Sequence, residues 1–411
     1  MVKNLFHGFV FLAPFTSFFA ISAWLRLPVI ANQLLLLIVI VSVLIYGKVK
    51  TKFIFKEDLY LLVFLALVWV SLLLGYREKR SFNHTLAYTN AIVFFFFLSK
   101  YVVKHIKVTS RQISRTMCFS FVVSSLIILI DFIGINYFDF SFRKLFSVVD
   151  GKISNMDYYI RSGFRRVGGV AEEPGTMALF YNLYFGATLY FLIREKRIKT
   201  VAFCVVLFLF CHFAMLSSAG IALALFCSLT AFLFEKISRN KITKKQVNWI
   251  FIFIIFTLIT LTSMLIFNIG NMRFHLVEFG NKIIFNESGT VTSSGQRIFQ
   301  WKRALTNFIQ HPIFGHGPGF GVHEDHEGYL SVYLTILADI GMIAFIFFVA
   351  FQEAIFKKVI QLSNNIRPFL FFAVTTSFLH LCIVSDFYHA PLWILLVLIQ
   401  LIHTEEKAGI L

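Results

Sequence analysis

The chain has 411 residues, 58% of them hydrophobic and only 14% charged, where a soluble globular protein carries about 25% charged residues. Apolar runs near 20 residues recur along it, the length that a bilayer core about 30 Å thick demands of a helix, so a soluble enzyme is excluded. A net charge of +17 would suggest nucleic acid in a soluble chain; here Lys and Arg fill short connections where they orient helices, and no nucleic-acid partner is expected.

The apolar runs predict an all-α, polytopic integral membrane protein with about 12 transmembrane helices in a single membrane domain over residues 1–411. In order, the expected spans cover 5–24, 28–46, 59–76, 84–99, 116–134, 175–193, 201–216, 217–234, 248–267, 329–351, 368–386 and 388–403. The first resembles a signal peptide, but its candidate cleavage sites place Phe or Ile where a small residue is wanted, so it reads as an uncleaved span. All five cysteines (Cys118, Cys204, Cys211, Cys227, Cys382) fall inside apolar segments, which predicts packing rather than disulfides or zinc. No internal repeat supports an inverted-repeat transporter.

Basic residues orient the chain. Lys48, Lys50, Lys52 and Lys56, then Lys100, Lys104 and Lys107, the REKRIK run from Arg194, and Lys357 and Lys358 share one side, which assigns both termini to the cytoplasm. Two long loops, 135–174 and 268–328, then face outward, to the periplasm or cell exterior.

These loops concentrate the polar chemistry. In the first, Arg161, Arg165 and Arg166 precede Gly168–Gly169, then Glu172, Glu173 and Pro174. Guanidinium forks suit phosphate, and paired glycines let backbone approach a ligand. Glu172 and Glu173 equally suit a helix start, where they complement the dipole. In the second loop, Ile298, Trp301, Leu305 and Phe308 recur at helical spacing, predicting an interfacial amphipathic helix. Lys302 and Arg303 can snorkel from it to lipid headgroups, whereas Arg297 is placed to bind substrate phosphate.

Pro312 ends that helix, and Gly315, Gly317, Gly319 and Gly321 form a turn-rich connection that no strand precedes, so it is no nucleotide fingerprint. His316, His323, Glu324, Asp325, His326 and Glu327 follow; one of them can act as general base for a sugar hydroxyl, or the run is a hydrated loop end. Their spacing matches no metal-ligand pattern, and neither metal nor cofactor is expected. Asp339, inside an apolar run, is expected to hold Arg297 or another loop cation, or to support helix packing. His212, His380, Asp386 and His389, near outer helix ends, read as satisfied polar residues.

The run Arg297, Trp301, Ala304, Leu305, Pro312, Gly315, Gly317, Gly319, Tyr333, Leu334, Asp339 and Gly341 resembles the shared domain of the O-antigen polymerases and ligases, bacterial membrane glycosyltransferases that use undecaprenyl-diphosphate-linked sugars. The stretch Arg166, Gly169, Glu173 and Pro174 resembles the outer-loop motif more typical of polymerases. Two departures stand out. Leu330 occupies the position, eleven before Gly341, where the family usually carries His, and the turn Ser217-Ser218-Ala219-Gly220 lacks the arginine frequent in ligases.

The resemblance implies a metal-independent polymerase in the bacterial inner membrane, joining undecaprenyl-diphosphate-linked oligosaccharides as donor and acceptor on the periplasmic face. A chain-length regulator protein would be a partner, and membrane lipid a further contact. Arg166 and Arg297 would neutralise the departing diphosphate, and Glu173 or His326 would be the acceptor base. Arg161, Arg165, Gly169, Arg303, Gly315, Gly317, His323 and Asp339 complete the expected substrate contacts. The alternatives are a ligase transferring finished polymer to lipid A-core and, from another class, a flippase for lipid-linked oligosaccharide.

Overall fold

The computed structural model describes residues 1–19, 25–46, 53–142, 160–161, 164–238, 293–325, 328–385 and 388–410. The protein is an all-α polytopic membrane protein; among the described residues six helices are long and apolar enough to cross a bilayer. The elements in order are α1 (Val2–Leu12), α2 (Leu27–Tyr46), α3 (Asp58–Leu74), α4 (Lys79–Thr89), a π-helical stretch (Asn90–Leu98), α5 (Ser99–His105) and α6 (Ser110–Tyr137). Strands β1 (Ile160–Arg161) and β2 (Phe164–Arg165) pair antiparallel, followed by α7 (Pro174–Arg194), α8 (Ile198–Met215) and α9 (Ser218–Ser238). Then come α10 (Ser293–Gln310), α11 (Phe320–Asp325), α12 (Val332–Asp339), α13 (Met342–Ile360), α14 (Arg367–His380) and α15 (Ala390–Lys407). The expected span 248–267 and much of the second long loop lie outside the described residues.

Helix α7 is the axis of the bundle. It packs against α6, α8, α9, α14 and α15, and its residues from Met177 to Leu192 are buried almost without interruption. Close approach to α14 depends on Gly186, where an added Cβ would lie 2.6 Å from Ala373 Cβ and 2.8 Å from the Phe369 carbonyl. Small residues at such crossings let helix backbones meet in lipid, where apolar burial gives no preference for helix over tail. Polar groups on the axis are tied internally: Tyr184 Oη donates to Val10 O at 2.8 Å and Tyr181 Oη pairs with Ser125 Oγ at 2.7 Å.

Two expected spans are revised. The first, 5–24, is not one helix: α1 ends at Leu12, because Pro14 has no N–H to continue the ladder. The chain then turns, and Ser17 donates both its N–H and its hydroxyl to Val170 O, at 3.1 and 2.9 Å. The span 329–351 is divided into α12 and α13 at Gly341, whose φ of +97° no β-carbon-bearing residue readily adopts. Its missing side chain admits the Ile313 carbonyl, and Met342 N donates to Pro312 O at 2.8 Å. The glycine-rich connection is thereby wedged into the helix break.

One end of the bundle is stitched by buried charge. Lys100 pairs with Asp58 under the rings of Phe55 and Phe96, and Gln400 donates to the same carboxylate at 2.9 Å. Arg367 pairs with Glu235 at 2.9 Å, and Glu405 accepts from Ser110 N at 2.8 Å. The first turns of α1 lie near this end as well, through His7 and Thr116 at 2.9 Å, so both chain termini share it. The described parts of the two long polar loops lie at the other end.

Candidate functional site

The limb from Phe164 to Pro174 is fixed on three sides before any ligand is considered. Asn136, in the last turn of α6, holds the backbone of Arg165 through Oδ1 to its N–H at 2.7 Å and Nδ2 to its O at 3.0 Å. Gly169, at φ +55°, lies so close to Ile128 that a Cβ would meet Cγ1 at 2.5 Å. Ser17 grips Val170 from the turn after α1. Arg26, just before α2, forms an ion pair with Glu172, with 24% of the arginine side chain and 37% of the glutamate exposed. The limb then delivers Glu173 to the N-cap of α7, ahead of Pro174 in the first turn.

Glu173 makes no side-chain capping bond to α7, so a cap is not what holds its carboxylate. Arg297, in the first turns of α10, lies within electrostatic reach of that carboxylate and donates through Nη1 to Ile383 O beyond the end of α14. Burial pushes the Arg297 pKa below the ordinary guanidinium value, and the Glu173 carboxylate opposes that shift. Arg166 donates through Nε to Met215 O at 3.2 Å, at the C-terminal turn of α8 where helix carbonyls favour a cation. Three elements remote in sequence therefore bring Arg166, Glu172–Glu173, Arg26 and Arg297 to one end of the bundle.

Below this cluster lie two buried imidazoles. His212 pairs through Nε2 with Asn182 Oδ1 at 2.7 Å, and Asn182 donates to Gly220 O at 3.2 Å. His380 is 1% exposed and within electrostatic reach of both Arg297 and His212. Among the described residues, no hydrogen-bond partner meets the buried Nδ1 atom of either histidine.

The second half of the site is built around the glycine-rich connection. Asp339 is 1% exposed, and its carboxylate accepts Gly319 N at 2.9 Å and Gly321 N at 3.2 Å, while its main-chain O accepts Ser71 Oγ and Gly317 N. At Gly315 a Cβ would sit 2.3 Å from Asp339 C, and at Gly317 it would lie 2.9 Å from Tyr76 N. Gly315, Gly317 and Asp339, expected to contact substrate, are thus engaged by the protein's own backbone. Arg303 donates to Gly321 O at 2.8 Å and lies over the Tyr329 ring, which revises the headgroup contact offered for it.

Above the connection, Tyr76 Oη meets the His323 ring at 2.9 Å, Glu78 lies 3.6 Å from that ring, and Arg80 donates to Val322 O at 2.8 Å. Burial and the Glu78 carboxylate push the Tyr76 phenol up to about 12. Arg165 is drawn to Asp139 at 2.7 Å, on the exposed face of the limb. His326, Glu327 and Asp386 lie outside the described residues, as do the side chains of Arg161, Glu324 and Asp325.

Sequence reasoning missed Arg26, Ser17, Tyr76, Arg80 and the involvement of His380. Basic residues in the short outward connections, Arg26 in one and Arg77, Lys79 and Arg80 in the other, were a signal for Arg26 and Arg80. The others needed tertiary contacts.

Residues 203–349, from α8 through the glycine connection into α13, match the family model described as O-antigen ligase. No curated protein matches the chain.

Proposed function

We propose, with the match over residues 203–349 to the model described as O-antigen ligase as support, that the chain is a polymerase of the O-antigen polymerase and ligase superfamily: a glycosyltransferase extending a surface polysaccharide from polyprenyl-diphosphate-linked repeats. The observation that carries this reading is the convergence of Arg166, Glu173 and Arg297 from two loops at one end of the bundle. A departing diphosphate needs positive charge fixed where negative charge develops, and arginines supply it without a metal. Glu173, next to one of those arginines, is the base for the acceptor hydroxyl. As the new bond forms from that hydroxyl to the donor's anomeric carbon, the proton passes to Glu173. The bond to the diphosphate oxygen breaks with its electron pair. The setting would be the periplasmic face of the inner membrane, with the termini cytoplasmic.

The Arg166 contact favours polymerase. Ligases of the superfamily often carry an arginine on the turn between the equivalents of α8 and α9, where this chain has Ser217-Ser218-Ala219-Gly220. Here the first-loop limb brings Arg166 to Met215 at that turn, coupling the polymerase-like motif to the same place. The ligase reading keeps the support of the matched model's own description.

A lipopolysaccharide gel from a strain lacking the gene tests this. Loss of the ladder with core plus one repeat retained is the expected result. Bare core with polymer left on the lipid carrier would establish a ligase, and bare core with single repeats held on the cytoplasmic side a flippase. Complementation by the double variant Arg166→Gln/Arg297→Gln is expected to leave the ladder absent; a normal ladder would remove both arginines from the mechanism.

A further inference from the structure

The two neighbouring carboxylates of the limb are matched to two arginines from different parts of the chain. Glu172 pairs with Arg26, and Glu173 interacts with Arg297. Neither pair is sealed away: Arg26 and Glu172 keep 24% and 37% of their side chains exposed, and Glu173 is exposed. At the opposite end of the bundle, by contrast, Arg367–Glu235 is 8% and 10% exposed, and Lys100–Asp58 5% and 0%. Exposed pairs are weak and exchange readily, whereas buried ones resist loss of a partner. The limb backbone ahead of both carboxylates is anchored independently, at Arg165 by Asn136 and at Val170 by Ser17, so the limb stays in place if the carboxylates leave their partners.

Resting on the diphosphate-donor reading above, we infer that Arg26 is a third diphosphate ligand beside Arg166 and Arg297, and that Glu172 and Glu173 are resident counter-anions which the donor displaces. The charge count fits: a diphosphate diester carries about two negative charges, matching the two carboxylates it replaces, and guanidinium forks bind phosphate oxygens bidentately. Arg26 lies outside the matched domain and at the far end of the sequence from Arg297. Displacement also orders the reaction. Once a diphosphate occupies Arg297, Glu173 loses its cation and becomes a stronger proton acceptor, so the base is armed only when the donor is seated.

The test uses the two ends of one ion pair. Farnesyl diphosphate binding to the purified full-length chain in nanodiscs is measured for wild type, Arg26→Gln, Arg26→Lys and Glu172→Gln, with melting temperatures as a control. Arg26→Gln is expected to weaken binding about 5- to 10-fold, and Arg26→Lys to keep most of it. Glu172→Gln is expected to tighten binding about 3- to 10-fold, because a competing anion is gone. A purely structural salt bridge would instead send Arg26→Gln and Glu172→Gln in the same direction. That outcome, or no change in either, overturns this inference while leaving the polymerase reading intact. Failure of the wild-type protein to bind farnesyl diphosphate overturns both.

Discussion

Replacing Asp339 by Asn separates two roles that the sequence alone leaves open. In the structure the carboxylate receives two buried backbone N–H groups, from Gly319 and Gly321. Asn keeps the shape and one acceptor, but it turns an N–H₂ toward the second amide. One charge-assisted hydrogen bond is lost, worth about 1.5–3 kcal/mol, and a buried N–H is stranded at a further cost of about 1–3 kcal/mol. The expected total is about 2.5–6 kcal/mol, concentrated where the glycine connection fills the break between α12 and α13. Thermal unfolding of the solubilised protein should show a lowered transition, and limited proteolysis should open the chain near residues 315–323. Ladder formation should fall in parallel. If the Asp339→Asn variant melted like wild type while activity alone fell, Asp339 would be a substrate contact, and the scaffold argument would be refuted.

Glycine substitutions should sort by what a Cβ would meet. Gly341→Ala would put that carbon 2.1 Å from the Ile313 carbonyl at a φ of +97°, so little folded protein is expected, whereas Gly175→Ala meets nothing within 4 Å and should melt within about 1 kcal/mol of wild type. Breaking the Arg367–Glu235 pair with Glu235→Gln leaves a guanidinium in a site 8% exposed, and about 3–5 kcal/mol of destabilisation should appear in the melting curve; the double variant Arg367→Met/Glu235→Leu should recover much of it. Arg111 holds the Glu195 carboxyl below its usual 4.5. This pair therefore contributes stability that is present above the unfolded carboxylate's range and lost as pH falls through the lowered folded value. Glu195→Gln should flatten that part of an acid-melting profile, and about 1 M salt should do much the same.

The sequence was most legible where physics is local. Apolar run length located α2, α3, α7, α8 and α9 to within a few residues, and the middle of α6, because a bilayer fixes how long such a run must be. Amphipathic spacing placed α10, and Pro312 ended it. Hydropathy could not reveal the break at Gly341, since both sides of it are equally apolar; the cause is a loop from elsewhere pressing into the backbone. The same limit applies to the site. Arginines next to glycines marked Arg166 and Arg297 as chemically interesting, but the polar partners of Arg303 and Asp339 are set by a fold-back over tens of residues. Arg26 was hidden differently: it belongs to a short connection whose importance depends wholly on where Ser17 docks.

The π-helical stretch Asn90–Leu98 has a consequence for chain length as much as for shape. On its near side His84 must face Gly319, where a Cβ would come within 2.5 Å of the ring, and on its far side Lys100 must face Asp58. A π turn, closed by i→i+5 bonds, takes up about one more residue than an α turn, so the stretch absorbs an extra residue while keeping His84 on Gly319 and Lys100 on Asp58. The stretch works as a phase adjuster between two contacts that belong to opposite ends of the bundle. Inserting one further residue into the stretch should therefore lower the yield of folded protein more than Phe96→Leu does.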